Sequence, residues 1–382
     1  MQNIYLDNAA TTRIRPEVLE RMVKGMEECY GNPSSTHSFG RAAKAQIEKA
    51  RKTIARQFKV SPAEIIFTSG GTEADNMILV AAVRDLGVKH IISAKTEHHA
   101  VLHTLEALSK QFGTRISYVA LNSLGSADPD SLKEILSDSE GPALVSLMHI
   151  NNETGNRIDL EAFSKICKEH NAYFHSDTVQ SVGHWELDLS TTPVDFITAA
   201  AHKFHGPKGV GFAFIRKGIG INPLILGGEQ ERGMRAGTES YHNIIGLEEA
   251  LIQAYANLEE EQAYISGLKS YFIEALTNAI PGTIINGGGA DPELSTYNVV
   301  NVRLPFSEDK ASLLLFQLDL KGIACSRGSA CQSGSSLGSH VLQEMLDETE
   351  MKKPSVRFSF SRYNTKEELD TVVEVLKEYG ES

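Results

Sequence analysis

Short apolar segments rich in β-branched residues alternate with amphipathic helical segments through the first two thirds of this 382-residue chain. Strands are predicted at 64–67, 90–93, 116–119, 143–147, 172–175 and 195–198, and helices at 37–58, 73–85, 99–112, 129–137 and 159–170. This alternation is typical of a mainly parallel sheet with helices on both faces. The sequence therefore predicts an α/β fold.

The pattern changes near residue 238, which indicates a second structural unit. A long polar helix is predicted at about 239–279, with the acidic run 259–261 on a solvated face. Beyond it, strands near 296–303 and 355–360 and helices near 308–320 and 365–379 indicate a smaller α+β unit. We expect a large domain over 16–258, and a small domain made of 1–15 and 259–382.

Charge and cysteine content exclude several classes of function. The net charge of -12 disfavours nucleic acid or an anionic membrane as a partner, because no extended basic patch is available. The N-terminus lacks the pattern of a secretory signal, and no apolar stretch is long enough for a membrane helix. Four widely spaced cysteines do not resemble a secreted disulfide framework, so we expect a cytoplasmic protein.

Two of these cysteines, Cys325 and Cys331, lie in a segment made mostly of serine and glycine, 325–339. This pair has three interpretations: a disulfide, half of a metal site, or a reactive nucleophile on a flexible loop. A reducing compartment makes the disulfide the weaker one, and the chain has no C-x-x-C or H-E-x-x-H spacing that would complete a zinc site.

A lysine directly after a buried strand is the first candidate catalytic residue. The strand at 195–198 runs into three alanines and then His202 and Lys203, before Gly206 and Pro207 force a turn. Partial desolvation there would lower the lysine pKa and make the amine available for Schiff-base chemistry. The alternative is a lysine that extends to solvent at a sheet edge.

Two further segments supply what a pyridoxal phosphate cofactor needs. Asp177, just past a strand, is placed to hold a pyridine nitrogen protonated, and Gln180 to reach the phenolic oxygen, although such an aspartate is also a common helix N-cap. Gly71 and Thr72 open a helix after a glycine turn, where backbone amides and the helix dipole favour a phosphate. His98 is placed to stack on the ring. Its alternative is a metal cluster with His99 and His103.

The order of the motifs resembles that of a cysteine desulfurase, a class-V, fold-type I pyridoxal phosphate enzyme. The resemblance runs from residue 4 to about residue 379 and rests on these segments: Ile4-Tyr-Leu-Asp-Asn-Ala-Ala-Thr-Thr12, Gly31-Asn-Pro-Ser-Ser35, Thr68-Ser-Gly-Gly-Thr-Glu-Ala-Asp-Asn76, Lys95-Thr-Glu-His98, Asn151-Asn-Glu-Thr-Gly155, His202-Lys203, Gly233-Met-Arg-Ala-Gly-Thr238, Gly328-Ser-Ala-Cys331 and Val356-Arg-Phe-Ser359. It is closer to the iron–sulfur-cluster and nitrogen-fixation type, and implies a seven-stranded, mainly parallel sheet in the large domain.

The resemblance implies a role for each matching residue. Lys203 would carry the cofactor and, with His98, move protons, and Cys331 would be the nucleophile. Ring contacts would come from His98, Asn152, Asp177 and Gln180, and phosphate contacts from Gly71, Thr72, His202 and, from the partner subunit of a homodimer, Thr238. Asn32 and Arg357 would bind the substrate carboxylate.

The implied reaction converts L-cysteine to L-alanine and leaves a persulfide on Cys331, for transfer to a sulfur acceptor or an iron–sulfur scaffold protein. No resident metal is required, and Cys331 is a candidate transient cluster ligand. Selenocysteine lyase, cysteine sulfinate desulfinase and class-V aminotransferase activities are the catalytic alternatives, and a cysteine-bearing scaffold is the non-catalytic one. The chain departs from the family at Ala200, where a serine is common, in the loop after Cys331, and in its short C-terminal tail.

Overall fold

The computed structural model describes residues 3–328 and 338–381, so Cys331 lies outside the described residues. The strands are β1 (Ile4–Tyr5), β2 (Ile65–Thr68), β3 (His90–Ser93), β4 (Arg115–Tyr118), β5 (Ala143–Ser146), β6 (Tyr173–Asp177), β7 (Phe196–Ala200), β8 (Gly211–Ile215), β9 (Ile284–Asn286), β10 (Val299–Arg303), β11 (Ile323–Ala324) and β12 (Ser355–Ser359). The α-helices are α1 (Pro16–Glu28), α2 (Ser38–Gln57), α3 (Gly71–Arg84), α4 (His99–Phe112), α5 (Pro129–Ser137), α6 (Leu160–Glu169), α7 (Tyr241–Ala256), α8 (Leu258–Ala279), α9 (Glu308–Leu320), α10 (His340–Gln343), α11 (Glu348–Met351) and α12 (Lys366–Glu381).

The larger sheet has seven strands in the order β2-β8-β7-β6-β5-β3-β4. The five neighbouring strands β4, β3, β5, β6 and β7 pair in parallel. Strand β8 pairs antiparallel with both β7 and β2. Adjacent residues of β3 enter different cores, since Ile91 packs with α3 and α4 while Ile92 packs with the apolar side chains of α2 and α6. Both faces are therefore covered, which confirms the predicted α/β class and mainly parallel sheet.

The C-terminal part of the chain builds a second core around a three-stranded antiparallel sheet of order β12-β10-β9. Phe272 of α8 packs edge-on against Phe358 and Phe360, with ring centroids 4.9 and 5.6 Å away. The N-terminal strand joins this part, because Ile4 pairs in parallel with Ile323. The predicted domain limits at residues 16 and 259 stay a prediction.

The single long helix predicted at 239–279 is wrong. Helix α7 ends at Ala256 and α8 begins at Leu258, with Asn257 between them at φ -116° and ψ 14°. The Asn257 side-chain amide donates to the carbonyl of Gln253 and so caps the first helix. The two helices then pack against different cores, α7 through Ile244 on the large sheet and α8 against the C-terminal sheet.

The predicted solvated face at 259–261 is also wrong at one position. Glu261 accepts two hydrogen bonds of 2.8 Å from the guanidinium of Arg15, which is 2% exposed, and a third from Arg362. Tertiary pairing therefore leaves the Glu261 side chain 14% exposed, whereas Glu259 and Glu260 are exposed. None of the helices in the described ranges has the length and apolarity needed to cross a bilayer.

Candidate active site

The carboxyl ends of β6 and β7 open onto a cavity of about 230 Å³. In an open α/β sheet this edge is where ligands bind. The structure brings these side chains from the predicted site together around the cavity: Gly71, Thr72, His98, Asn152, Asp177, Gln180, His202, Lys203 and Arg357. Residues separated by almost three hundred positions in sequence therefore share one pocket.

Lys203 ends a short 3-10 turn, Ala201–Lys203, that directly follows β7. Its Nζ donates to the backbone carbonyls of Ala9 and Ala10, at 2.6 and 2.9 Å. The side chain is half-buried and lines the cavity. The lysine therefore points into the pocket and does not extend to solvent at the sheet edge.

Asp177 is the last residue of β6, and its carboxylate is buried at the cavity wall. Burial and the nearby Asp75 raise the pKa of Asp177 to about 6, while His98 acts in the opposite direction. Burial likewise raises the pKa of Asp75 to about 7. A turn follows Asp177, in which Oδ1 accepts from the Val179 amide at 2.9 Å, so this aspartate does not begin a helix. A cationic ligand would relieve the cost of burying these two carboxylates.

His98 is the N-cap of α4, where its Nδ1 accepts a hydrogen bond of 3.1 Å from the Ala100 amide. Burial lowers the pKa of His98, the Asp177 charge opposes that shift, and Lys203 adds to it. The ring held in this way belongs to a residue that lines the cavity. In the described ranges, no group of three histidine, cysteine or acidic side chains is arranged to hold a metal, so the structure gives no support to the His98 metal cluster.

The N-terminus of α3 forms a second wall of the cavity. A Cβ on Gly71 would lie 2.6 Å from Cγ2 of Val179, so only glycine allows this close approach. The first-turn amides of a helix have no acceptor inside it and are free to bind an anion. His202 lies beside this wall, with Nδ1 3.2 Å from Thr11 Oγ1, and burial together with Lys203 lowers its pKa to about 4.

Arg357, in the middle of β12, is only 1% exposed and reaches the cavity from the C-terminal sheet. Its Nη2 donates to Asp7 Oδ1 at 2.7 Å, and its Nη1 donates to the carbonyl of Asn152 at 2.9 Å. The buried Nε has no hydrogen-bond partner among the described residues. These contacts fix the guanidinium while leaving donor capacity for a carboxylate ligand.

The other predicted ring contacts lie at the cavity wall. Gln180 is buried, and its Nε2 donates to the carbonyl of Ala9 at 3.0 Å, the same oxygen that accepts from Lys203. Asn152 lines the cavity, and its carbonyl accepts a hydrogen bond from Arg357. The Ala9 carbonyl thus links the amide side chain to the lysine.

Two predicted site residues of the same chain lie outside this cavity. Thr238 lines a separate cavity of about 180 Å³ with Ser69 and Arg235, and Asn32 is exposed, its Oδ1 accepting from the Ser34 amide at 2.9 Å. The role predicted for Cys331 falls on the undescribed segment. These three assignments stay predictions.

Sequence reasoning missed three residues of the site. Asp7 holds Arg357, Ala9 holds Lys203, and Asp75 shares the buried acidic wall with Asp177. Asp75 carried a signal, since it lies four residues after Gly71 on a helix whose first turn lines the cavity. The roles of Asp7 and Ala9 depend on how the N-terminal segment packs and have no local signature.

Cys325 is half-buried and packs against the C-terminal core. Burial and the Asp7 charge raise the pKa of its thiol to about 12, although Arg357 opposes the shift. The thiol is therefore protonated at neutral pH, which favours a packing role for Cys325 over a sulfur relay.

A family model described as aminotransferase class-V matches residues 4–372. The chain belongs to the class-V aminotransferase family. Within that family it is similar to cysteine desulfurase IscS of Dictyoglomus turgidum, at 42% identity over 98% of this chain and 94% of the relative. The putative cysteine desulfurase IscS 1 of Bacillus subtilis is 41% identical, with 97% of each chain covered. A solved NifS-like protein superposes with a TM-score of 0.89 at 36% identity, over 99% of both chains. These matches confirm the fold and the cysteine desulfurase resemblance.

Proposed function

We propose that this class-V aminotransferase family member is a pyridoxal phosphate-dependent cysteine desulfurase. It would convert L-cysteine to L-alanine and retain the sulfur as a persulfide on Cys331. The observation that carries the proposal is the single cavity in which Lys203, Asp177, the N-terminus of α3 and Arg357 converge. The amine matches the aldehyde of the cofactor, the buried carboxylate matches its ring nitrogen, and the helix end matches its phosphate. The guanidinium matches the carboxylate of an amino acid.

The residues present fit this cofactor. Asp177 supplies a buried negative charge for a protonated ring nitrogen, and Gly71 leaves room beside Val179 for a phosphate at the first turn of α3. Lys203 would hold the cofactor through its amine, and Thr72 and His202 would contact the phosphate from the cavity wall. Ala200 lines the wall without a hydroxyl, so the phosphate would have one donor fewer there than in relatives with serine.

Pyridoxal phosphate, when bound, withdraws electrons from the substrate Cα and so weakens its bond to hydrogen. Lys203 would take that proton, a role supported by its amine, which lies at the cavity beside the Ala9 carbonyl. His98, whose lowered pKa favours the neutral ring, would stack on the cofactor and help return the proton.

Arg357 would orient the substrate by pairing with its carboxylate, and Asp7 would keep the guanidinium in place. The Cys331 thiolate would then attack the substrate sulfur, so that an S–S bond forms as the C–S bond breaks. Overall, L-cysteine and one enzyme thiol give L-alanine and one enzyme persulfide, and no external oxidant is required.

The proposed assembly is a homodimer acting in the cytoplasm, with transfer of the sulfur to an acceptor or an iron–sulfur scaffold protein. The homodimer is supported by apolar side chains on one face of α1 and the residues after it, because Leu19, Val23, Met26 and Tyr30 are all exposed. The spacing of Leu19, Val23 and Met26 puts them on one side of α1, and Tyr30 follows just after the helix ends. Thr238 and Asn32, outside the cavity of their own chain, would then be supplied to the site of a second copy.

The direct test is alanine formation from L-cysteine by the holoenzyme and by Cys331→Ala. We expect alanine and persulfide from the wild type and loss of both in the variant. Undiminished persulfide transfer by the variant would reject the proposal. Turnover of selenocysteine that greatly exceeds that of cysteine and is indifferent to Cys331 would favour a selenocysteine lyase.

A further inference from the structure

The carboxylate of Glu153 touches both described ends of the segment that contains Cys331. Glu153 is completely buried in the turn after β5. On one side, the hydroxyl of Ser339 donates a hydrogen bond to Oε2. On the other, a Cβ built on Gly328 would lie 2.5 Å from the same oxygen and 2.9 Å from Cδ. The Glu153 side chain therefore lies between Gly328, which precedes residues 329–337, and Ser339, which follows them.

The turn that carries Glu153 is held firmly. The Asn151 Oδ1 accepts from the backbone amides of Glu153 and Thr154, at 2.9 and 3.0 Å, and both side chains are buried. The carbonyl of Glu153 accepts from Asn301 Nδ2, in the middle of β10, at 3.2 Å. The carboxylate thus has a support that is anchored in the C-terminal sheet.

The same turn contacts the proposed substrate site. The carbonyl of Asn152, one residue earlier, accepts from Arg357 Nη1 at 2.9 Å. Arg357 also exchanges backbone hydrogen bonds with Ser326, two residues before Gly328. Beyond Ser339, the His340 ring nitrogen Nε2 lies 2.9 Å from the carbonyl of Glu97, just before His98. Both ends of the segment are therefore fixed to the frame of the active-site cavity.

We infer that Glu153 is a positioning residue for sulfur transfer, a role that rests on the proposed function. By bonding to Ser339 and packing against Gly328, it sets the two points between which the chain must present the Cys331 thiol. Because an attack on the substrate sulfur needs a specific approach, a small shift of these points slows the sulfur step without altering substrate binding. The contact also explains glycine at 328, since a side chain there would displace the carboxylate.

The test follows two stages of one turnover in the holoenzyme mixed with L-cysteine. The early absorbance change reports substrate binding to the cofactor, and alanine release reports attack by the thiol. In Glu153→Gln and in Ser339→Ala, we expect an unchanged early stage and alanine release slowed about 10- to 100-fold. The double variant should be no slower than the slower single variant, because Glu153→Gln weakens and Ser339→Ala removes the same contact.

Asp347→Ala is the matched control for Ser339→Ala. Ser339 caps the four-residue helix α10, and Asp347 caps the neighbouring four-residue helix α11 by accepting from the Glu350 amide at 2.9 Å. The control loses a comparable cap but no contact with Glu153, so its alanine release should match that of the wild type.

Gly328→Ala tests the other end of the segment. The added methyl group should slow alanine release when Glu153 is present, and should have a smaller effect in a Glu153→Ala background, where the clash is removed. An equal effect in both backgrounds would contradict the spacing role.

Three other results would overturn the inference. The first is alanine release at the wild-type rate in both Glu153→Gln and Ser339→Ala. The second is an early absorbance change and an alanine release that are slowed equally in Glu153→Gln. The third is alanine release that is slowed equally by Ser339→Ala and Asp347→Ala. Failure of the wild type to form a persulfide on Cys331 would reject the proposed function and this role together. Unaffected variants of an active wild type would reject the positioning role alone.

Discussion

The amine of Lys203 lies 2.6 Å from the carbonyl oxygen of Ala9. Lys203 follows β7 of the large sheet, whereas Ala9 follows the strand that pairs with β11 beside the C-terminal sheet. The proposed cofactor-binding residue therefore lies where the two parts of the fold meet. The N-terminal segment lies over the sheet edge and completes the pocket with Ala9 and Ala10.

Replacement of this lysine tests its assignment. Lys203→Ala should abolish alanine formation, because no other amine lines the described part of the cavity. Borohydride treatment of the holoenzyme followed by peptide mapping should place the reduced cofactor on the peptide that contains Lys203. Labelling of another lysine, or full activity of the variant, would contradict the assignment.

Arg357→Lys should raise the KM for L-cysteine at least about tenfold, because an ammonium cannot reproduce the paired donors of a guanidinium. Arg303→Lys is the matched control: Arg303 also lies in the C-terminal sheet and is 7% exposed, but its Nε lies 3.0 Å from Glu350. Steady-state kinetics with L-cysteine gives both values. An equal rise in KM for the two variants would show that Arg357 stabilises the sheet and does not bind the substrate carboxylate.

The buried acidic wall predicts a pH-dependent stability of the cofactor-free protein. The folded-state pKa of Asp75, about 7, exceeds its ordinary value of 3.8. The folded protein therefore binds the extra proton between these values, and the contribution of Asp75 to the free energy of unfolding falls as pH rises through that window.

Asp75→Asn should consequently gain stability relative to the wild type as pH rises from 5 to 8, by at least about 1 kcal/mol. The comparison with the wild type isolates Asp75 from buried histidines such as His149, whose lowered pKa acts in the opposite direction. Denaturant unfolding at several pH values measures the difference. Asp130→Asn, at an exposed carboxylate, is the control, and a pH-independent difference for Asp75→Asn would contradict the burial argument.

A buried ion pair joins α2 to the segment that leads to Thr238. Arg51 and Glu231, each with a 2% exposed side chain, share hydrogen bonds of 2.6 and 2.8 Å, and Glu231 also accepts from the Phe67 amide. Glu231→Gln removes the buried counter-charge of Arg51, leaves it only the partly exposed Glu48, and should cost roughly 3 kcal/mol of unfolding free energy.

The control for this pair is Glu106→Gln, at an exposed partner of Lys110, which should cost less than about 0.5 kcal/mol. Urea unfolding of the cofactor-free protein compares the two variants. Similar midpoints for both would mean that the buried pair contributes no more than a surface pair.

Six of the seven strands of the large sheet lie within two residues of predicted strands, because each prediction rests on a short run with apolar residues between turns. The predicted strand at 90–93 matches the observed one, and the predicted helix at 99–112 does as well. The end of the long helix at Asn257 was not predictable, since neither proline nor glycine marks it. The break is made by the Asn257 cap and by the change of core between α7 and α8.

The site residues likewise include some that local sequence patterns predicted and some that they did not. Asp177 and Lys203 follow strands and Gly71 opens a helix, so local patterns indicated them. Asp7 and Glu153 act through contacts with Arg357 and Ser339, more than 180 positions away in sequence. Such contacts depend on how the chain folds back on itself, which no local pattern records.

The most direct measurement is the location of the sulfur after the holoenzyme reacts with L-cysteine. Thiols are trapped by alkylation, and peptide mass mapping identifies the cysteine that carries one extra sulfur atom. The proposed function predicts that atom on Cys331, with Cys29, Cys167 and Cys325 unmodified and alanine formed in equal amount. Extra sulfur on another cysteine, or alanine formed with no protein-bound sulfur, would contradict it.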